Sequence, residues 1–231
     1  MVIEAKQLRT YNPSECIVFL KTNEKFGGLS NMAPGFPLCV NGVTFRTSEA
    51  LYQACRFPLI PNLQHQIINE RSPITAKMLI KPFKDKSRPD WLSVRIKVMR
   101  WCLRIKLAQN WHKFSNLLLS TGTKPIVELS SKDDFWGAKV TENGSLVGRN
   151  ILGRLLMELR ESIKTSGFED CRTVKPISVA KFLLFQKPIA IIFGNSDASI
   201  GDSKEQRGIS QKKEPFQLSL FKVQNAASKG K

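Results

Sequence analysis

Two carboxylates stand where their neighbours give them chemistry to do. Glu49 falls in the first turn of Ser48-Glu49-Ala50-Leu51-Tyr52-Gln53-Ala54-Cys55-Arg56, and helical spacing puts Glu49, Gln53 and Arg56 on one face. The positive end of the helix dipole favours an ionised carboxylate there, and the same position also suits a carboxylate that only stabilises the helix start. Asp133 opens Asp133-Asp134-Phe135-Trp136-Gly137, where acid, aromatic and glycine crowd one loop. Paired carboxylates suit glycosidic cleavage, whose oxocarbenium-like transition state is stabilised by negative charge while a second group directs water. Trp136 offers a flat face to a base or ribose, or an anchor for its own loop. Ser30-Asn31 after Gly27-Gly28 could grip a ligand. So could Arg149-Asn150 within Gly148-Arg149-Asn150-Ile151-Leu152-Gly153, a helix start whose backbone N–H groups could meet a phosphate. Neither is a Walker or dinucleotide-binding motif.

These residues need elements to hold them, and the pattern supplies some. Cys16 to Leu20 reads as a buried strand, and Asn41-Gly42 between Leu38–Val40 and Val43–Phe45 predicts a type I′ hairpin. Thr47 caps a helix from Ser48 to Phe57, which Pro58 and Pro61 should end. A short helix from Thr75 leads to a basic loop, Lys81–Pro89. From Trp91 to Gln109 one helical face carries Val94, Val98, Trp101, Ile105 and Ala108, and another Lys97, Arg100 and Arg104. Helix continues over Phe114–Leu119, Ile126–Leu129 is a short strand, and Arg149-Asn150 opens a last helix to Ile163. Together these predict an α+β, mainly helical compact domain over residues 1–164. Residues 165–194 form an extension whose two apolar pieces could add a strand or covering helix. Residues 195–231, polar and rich in Gly, Ser, Lys and Gln, should be largely disordered.

Composition narrows the partners. Lys and Arg number 36 against 19 Asp and Glu, a net charge of +17. Between positions 77 and 113, eleven basic residues face only Asp85 and Asp90, a surface that draws phosphorylated ligands or nucleic acid. Five scattered cysteines without a CxxC pair read as buried thiols in a reducing compartment, and two histidines make a histidine-rich metal site improbable. Neither a metal nor a cofactor is expected. The apolar run Phe182–Phe193 is too short and broken to span a bilayer, so the expected location is the cytoplasm.

The motifs also occur in a telling order. Gly27-Gly28-Leu29-Ser30-Asn31, then Val43 to Ala54 with Ser48-Glu49, then Arg88-Pro89-Asp90-Trp91 precede a second group. That group runs Thr121-Gly122, Val127-Glu128, Asp133-Asp134-Phe135-Trp136-Gly137 and Arg149 to Arg160. From about residue 16 to 163 this resembles the NADAR family. The resemblance implies a cleft for phosphorylated ribosides and hydrolysis of a ribose–base N-glycosidic bond. It implies Glu49 and Asp133 as catalytic carboxylates, with Trp91 and Trp136 stacking on base or ribose. Ser30, Asn31, Gln53, Arg56, Arg149 and Asn150 would contact substrate. The chain departs from the family's pattern at Ala50, where a histidine is usual, at Arg56, where a lysine is usual, and at Ile80-Lys81. Arg56 cannot form a Schiff base, which excludes a lysine-covalent mechanism at that site.

The tail carries Gln217-Leu218-Ser219-Leu220-Phe221, which resembles the peptide that docks bacterial DNA-metabolism proteins on the sliding clamp. Leu220 and Phe221 would fill an apolar pocket while Gln217 bonds its rim, with Leu218 also part of the docking peptide. With the basic surface, this favours removal of ADP-ribose from modified guanine in DNA or nucleotides, a repair or antitoxin role. The alternatives are cleavage of riboflavin-pathway phosphoribosyl intermediates and a non-catalytic module that binds ADP-ribose or nucleic acid.

Overall fold

The computed structural model describes residues 7–194. In chain order it forms β1 (Arg9–Tyr11), β2 (Ile17–Phe19), β3 (Leu38–Val40), β4 (Val43–Phe45), α1 (Ser48–Arg56), α2 (Pro61–Asn69), α3 (Pro73–Leu79), α4 (Trp91–Gln109) and α5 (Trp111–Leu119). β5 (Ile126–Glu128), β6 (Lys139–Val140), β7 (Leu146–Gly148), α6 (Ile151–Cys171), β8 (Thr173–Val174), β9 (Leu183–Leu184), β10 (Lys187–Pro188) and β11 (Ile192–Phe193) follow. The arrangement is α+β with short sheets, as expected. β2 lies parallel to β5 with Ile17 opposite Ile126 and Phe19 opposite Glu128, while β7 joins β1 and β6 in a three-stranded antiparallel sheet.

Local chemistry accounts for several boundaries. Asn41 and Gly42 both take positive φ, 49° and 77°, as a type I′ turn requires, and join β3 to β4. The Thr47 hydroxyl accepts from the Ala50 N–H and starts α1. Pro61 does not merely end α1. It takes the first position of α2, where a missing N–H costs nothing and the fixed φ suits a helix.

α4 is the centre of the molecule rather than a two-faced surface helix. α1, α5, α6, β3, β8 and β11 all pack against it, so Met99, Cys102, Leu103 and Leu107 are buried along with the five apolar positions named above. Lys97 and Arg104 stay exposed, whereas Arg100 pairs with Glu158 at 2.7 Å.

α6 runs past Ile163 to Cys171, with a left-handed backbone at Gly167 (φ 69°). Beyond it, Val174, Phe182, Leu184, Ile189 and Ile192 are buried in the same core as α4, and residues 173–193 contribute strands rather than a covering helix. Cys55, Cys102 and Cys171 are buried. Cys16 is half-buried and Cys39 exposed, because strand alternation turns Cys39 outward between Leu38 and Val40. No helix among the described residues is long and apolar enough to cross a membrane.

Candidate active site

The loop after β2, α1, α3, α4 and the segment from β5 to Trp136 enclose a cleft of about 860 Å³. Ser30, Asn31, Glu49, Gln53, Arg56, Trp91, Asp133 and Trp136 all line it, so eight of the residues singled out from the sequence converge.

Glu49 is held on the buried wall, 3% exposed. Its Oε2 accepts from Asn31 Nδ2 at 2.5 Å and its Oε1 from Gln53 Nε2 at 2.7 Å. The Glu49 N–H also donates to the Asn31 carbonyl, which docks the start of α1 on the loop. Burial pushes this carboxyl up from its ordinary value, against the pull of the Gln53 and Asn31 amides and of Lys77. The ionised form expected from the helix dipole therefore depends on those two amides.

The loop carrying Ser30 and Asn31 is pinned from behind by Lys106. This residue is fully buried, and its Nζ donates to the Gly28 and Ser30 carbonyls at 2.6 and 2.9 Å. Phe36 and Phe114 present their ring faces to the ammonium at 4.3 Å. Burial drives its pKa well below the ordinary lysine value. Lys106 thus leaves the basic surface that the charge run suggested, and so does Arg88, which is buried and bonds Asp90 and the Ala180 carbonyl.

Asp133 is half-buried. Its Oδ1 accepts from the Phe135 and Trp136 N–H groups, both at 2.9 Å, which fixes the loop and leaves Oδ2 free of protein partners among the described residues. Tyr52 packs between the two tryptophans, 4.8 Å from Trp91 and 5.7 Å from Trp136 between ring centroids. Arg56 lies 5.6 Å above Trp91, anchored by its Nε–H to Ser87 Oγ at 2.7 Å. The Arg56 side chain borders the cleft but not as an ion-pair partner of the carboxylates.

Arg149 and Asn150 do not reach the cleft. The Arg149, Asn150, Ile151 and Leu152 N–H groups donate to the carbonyls of Asp134, Gly137, Phe135 and Trp136, so these four donors at the start of α6 are taken and not open to a phosphate. Asn150 is fully buried in a left-handed conformation. Its Nδ2 donates to Ile126 O and its Oδ1 accepts from Glu128 N, which ties α6 to β5. Gly153 lets the helix approach so closely that any Cβ there would collide with the Ile126 carbonyl.

The sequence reading passed over Glu128, Arg95, Tyr52 and Lys77 as site residues, and all four line the cleft. Arg95 shares a helical face with Trp91 and Met99, a spacing visible beforehand had Trp91 been used as the reference point. Its guanidinium stacks on Phe135 at 3.6 Å, with Arg149 5.6 Å from the same ring. Glu128 ends a buried strand, where a carboxylate after Ile126-Val127 signals an unusual environment. Burial, with Asp133 and Glu49 as like charges, raises its carboxyl from 4.5 to about 7.

That shift has a consequence for stability. Between those two values the folded chain keeps a proton on Glu128 that the unfolded chain has released, so stability falls as pH rises from 4.5 to about 7. Glu128→Gln is expected to shrink this loss. Denaturant titrations at about pH 5 and about pH 8 would measure it, and an unaltered difference in the variant would reject the assignment.

Three carboxylates, an aromatic trio and a rim of cations share one cleft on an α+β frame. The NADAR domain model matches residues 18–164, and the chain belongs to that family. It is 34% identical over 163 residues to the N-glycosidase YbiA of Escherichia coli (strain K12), covering 71% of this chain and 98% of that one. The NMR structure of E. coli YbiA superposes with a TM-score of 0.56, covering 73% of this chain and 96% of the other. The chain is also 35% identical over 148 residues to the riboflavin biosynthesis protein VVA0006 of Vibrio vulnificus (strain YJ016), but spans only 38% of its length.

Proposed function

We infer that this chain is a hydrolase of N-glycosidic bonds acting on a phosphorylated riboside. One observation carries the reading: Glu49, Glu128 and Asp133 line a single cleft whose walls also bear Lys21, Arg56, Lys77, Lys84 and Arg95. The cations have no ion-pair partner among the described residues, which leaves them for phosphate. The carboxylates suit the positive charge that develops at the anomeric carbon. In this reading Glu49 and Asp133 flank that carbon, one stabilising the oxocarbenium character and the other orienting or deprotonating water. Trp91 and Trp136 stack on base or ribose, and the Ser30 hydroxyl bonds the sugar.

The favoured substrate is ADP-ribose linked to guanine in nucleic acid, supported by the excess of positive charge and by the tail peptide. That peptide, Gln217, Leu218, Leu220 and Phe221, lies outside the described residues, and its docking on a sliding clamp is part of the same proposal. Cytoplasmic location belongs to it as well. Relatives named for riboflavin biosynthesis, from Vibrio vulnificus and Zea mays, favour a second reading, cleavage of a phosphoribosyl intermediate of that pathway. The pure protein should be given a guanine-ADP-ribosylated oligonucleotide and a phosphoribosylaminopyrimidine, with products read by mass spectrometry. Free ADP-ribose supports the first reading, and cleavage of the pyrimidine alone supports the second. Tight binding of ADP-ribose with no cleavage of either would make the chain a binding module.

Arg95 gives a sharper check on the phosphate wall. Arg95→Gln is expected to raise KM roughly tenfold to a hundredfold, the worth of a charge-assisted hydrogen bond, with little change in kcat. A KM within twofold of wild type would remove Arg95 from the phosphate site.

A further inference from the structure

Water attack and charge stabilisation are only half of a C1′–N hydrolysis. The departing nitrogen leaves as an anion unless a proton reaches it, and the two carboxylates assigned above already have oxygens engaged by N–H donors. Both oxygens of Glu49 already accept from amide N–H groups, so although burial raises this carboxyl, a proton on it would displace one of those bonds. Asp133 Oδ1 accepts two backbone N–H groups, which commit that oxygen to holding its own loop.

Glu128 stands in a different setting. Its carboxylate has no hydrogen-bond or ion-pair partner among the described residues, although its side chain lines the cleft. Its backbone is fixed on both sides: the N–H donates to Asn150 Oδ1 at 3.1 Å, and the carbonyl accepts from the Ala138 N–H at 2.8 Å. The strand also pairs with β2 through Phe19. Glu49 from α1 and Asp133 from the following loop act on it as like charges, and Lys77 from α3 opposes them. Lys21, just after β2, lines the same cleft. A side chain held on a rigid strand, open to ligand and unpaired, can exchange a proton with a bound atom.

We propose that Glu128 is the general acid that protonates the departing base nitrogen. The assignment rests on the glycosidase reading above. The C1′–N bond breaks with both electrons going to nitrogen, which takes the Glu128 proton. The oxygen of water bonds to C1′, and the water proton passes to whichever of Glu49 and Asp133 orients it. The products are a free sugar hydroxyl and an N–H base, and solvent exchange returns a proton to Glu128 and removes one from that carboxylate. A carboxyl raised to about 7 keeps its proton on about half of the molecules at neutral pH and gives it up readily.

The test uses two substrates with the same ADP-ribosyl group, one linked to guanine in an oligonucleotide and one to 4-nitrophenol. Nitrophenolate departs without a proton, so the second substrate needs no acid. Glu128→Gln is expected to lose roughly a hundredfold to ten-thousandfold in kcat/KM on the guanine substrate and to stay within a fewfold on the nitrophenyl one. Retained nitrophenyl cleavage also shows that the variant folds. Activity of an acid falls as pH rises through its pKa, so the wild-type alkaline limb near pH 7 should vanish in the variant on the guanine substrate. Equal losses on both substrates, or none on either, would overturn the assignment. Wild-type protein inert on both would overturn the ADP-ribosyl glycosidase reading itself, and the assignment with it.

Discussion

Glu49→Gln is expected to lower kcat by about a thousandfold, some 4 kcal/mol of transition-state stabilisation, while KM stays within a fewfold. The substitution keeps volume and removes only charge, on a group that is 3% exposed and so acts through a poorly screened field. The amide NH2 of the new glutamine must also face a donor, Asn31 Nδ2 or Gln53 Nε2, where the carboxylate offered two acceptors. Stability should move the other way. The folded carboxyl is raised above its ordinary value, so the wild type loses stability as pH rises above 4.5, and the variant escapes that loss. Product release followed by mass spectrometry and a thermal melt near pH 8 read both effects. A kcat within tenfold of wild type would end the case for Glu49 as a catalytic group.

Asn150→Ala should be the most damaging single change to the frame. It removes both hydrogen bonds between α6 and β5 and leaves the Ile126 carbonyl and the Glu128 N–H without partners in the interior. It also puts alanine at φ 48°, where asparagine is better tolerated. Two orphaned backbone groups and the strain sum to about 4 kcal/mol, or a fall of roughly 10 °C in Tm for a chain this size. Asn150→Gly relieves the backbone strain without restoring the bonds, so it should recover only a minor part. A loss under 1 kcal/mol would show that the residue is not the tie described here.

What could be read from the sequence was whatever short-range chemistry encodes. Asn41-Gly42 makes its turn from its own φ preferences, Thr47 caps the helix three residues on, and Glu49 and Gln53 meet because they are four apart. The same reasoning misread Pro61 as a stop, since proline ends one helix and starts another equally well. It read the N–H groups of the α6 start as open to phosphate because the carbonyls that take them lie thirteen to sixteen residues upstream, in a loop with no local signal for that fold-back. Lys106 looked like surface charge for a related reason. The carbonyls that bury it belong to Gly28 and Ser30, far away in the chain. Glu128 was visible within the family motif, but its unpaired state depends on which neighbours are absent, and only packing decides that.

The parallel pairing of β2 with β5 also governs how the protein is made. Ile17 meets Ile126 across more than a hundred residues, and Asn150 must arrive before β5 is secured. During synthesis, α1 and its Glu49 emerge long before the strand that carries Glu128. A ribosome-bound chain cut short before α6 therefore has all three carboxylates but lacks the helix that Asn150 ties to β5. Closing so long a loop is entropically slow, so the cleft assembles late, and hydrolytic capacity appears only after the frame is complete.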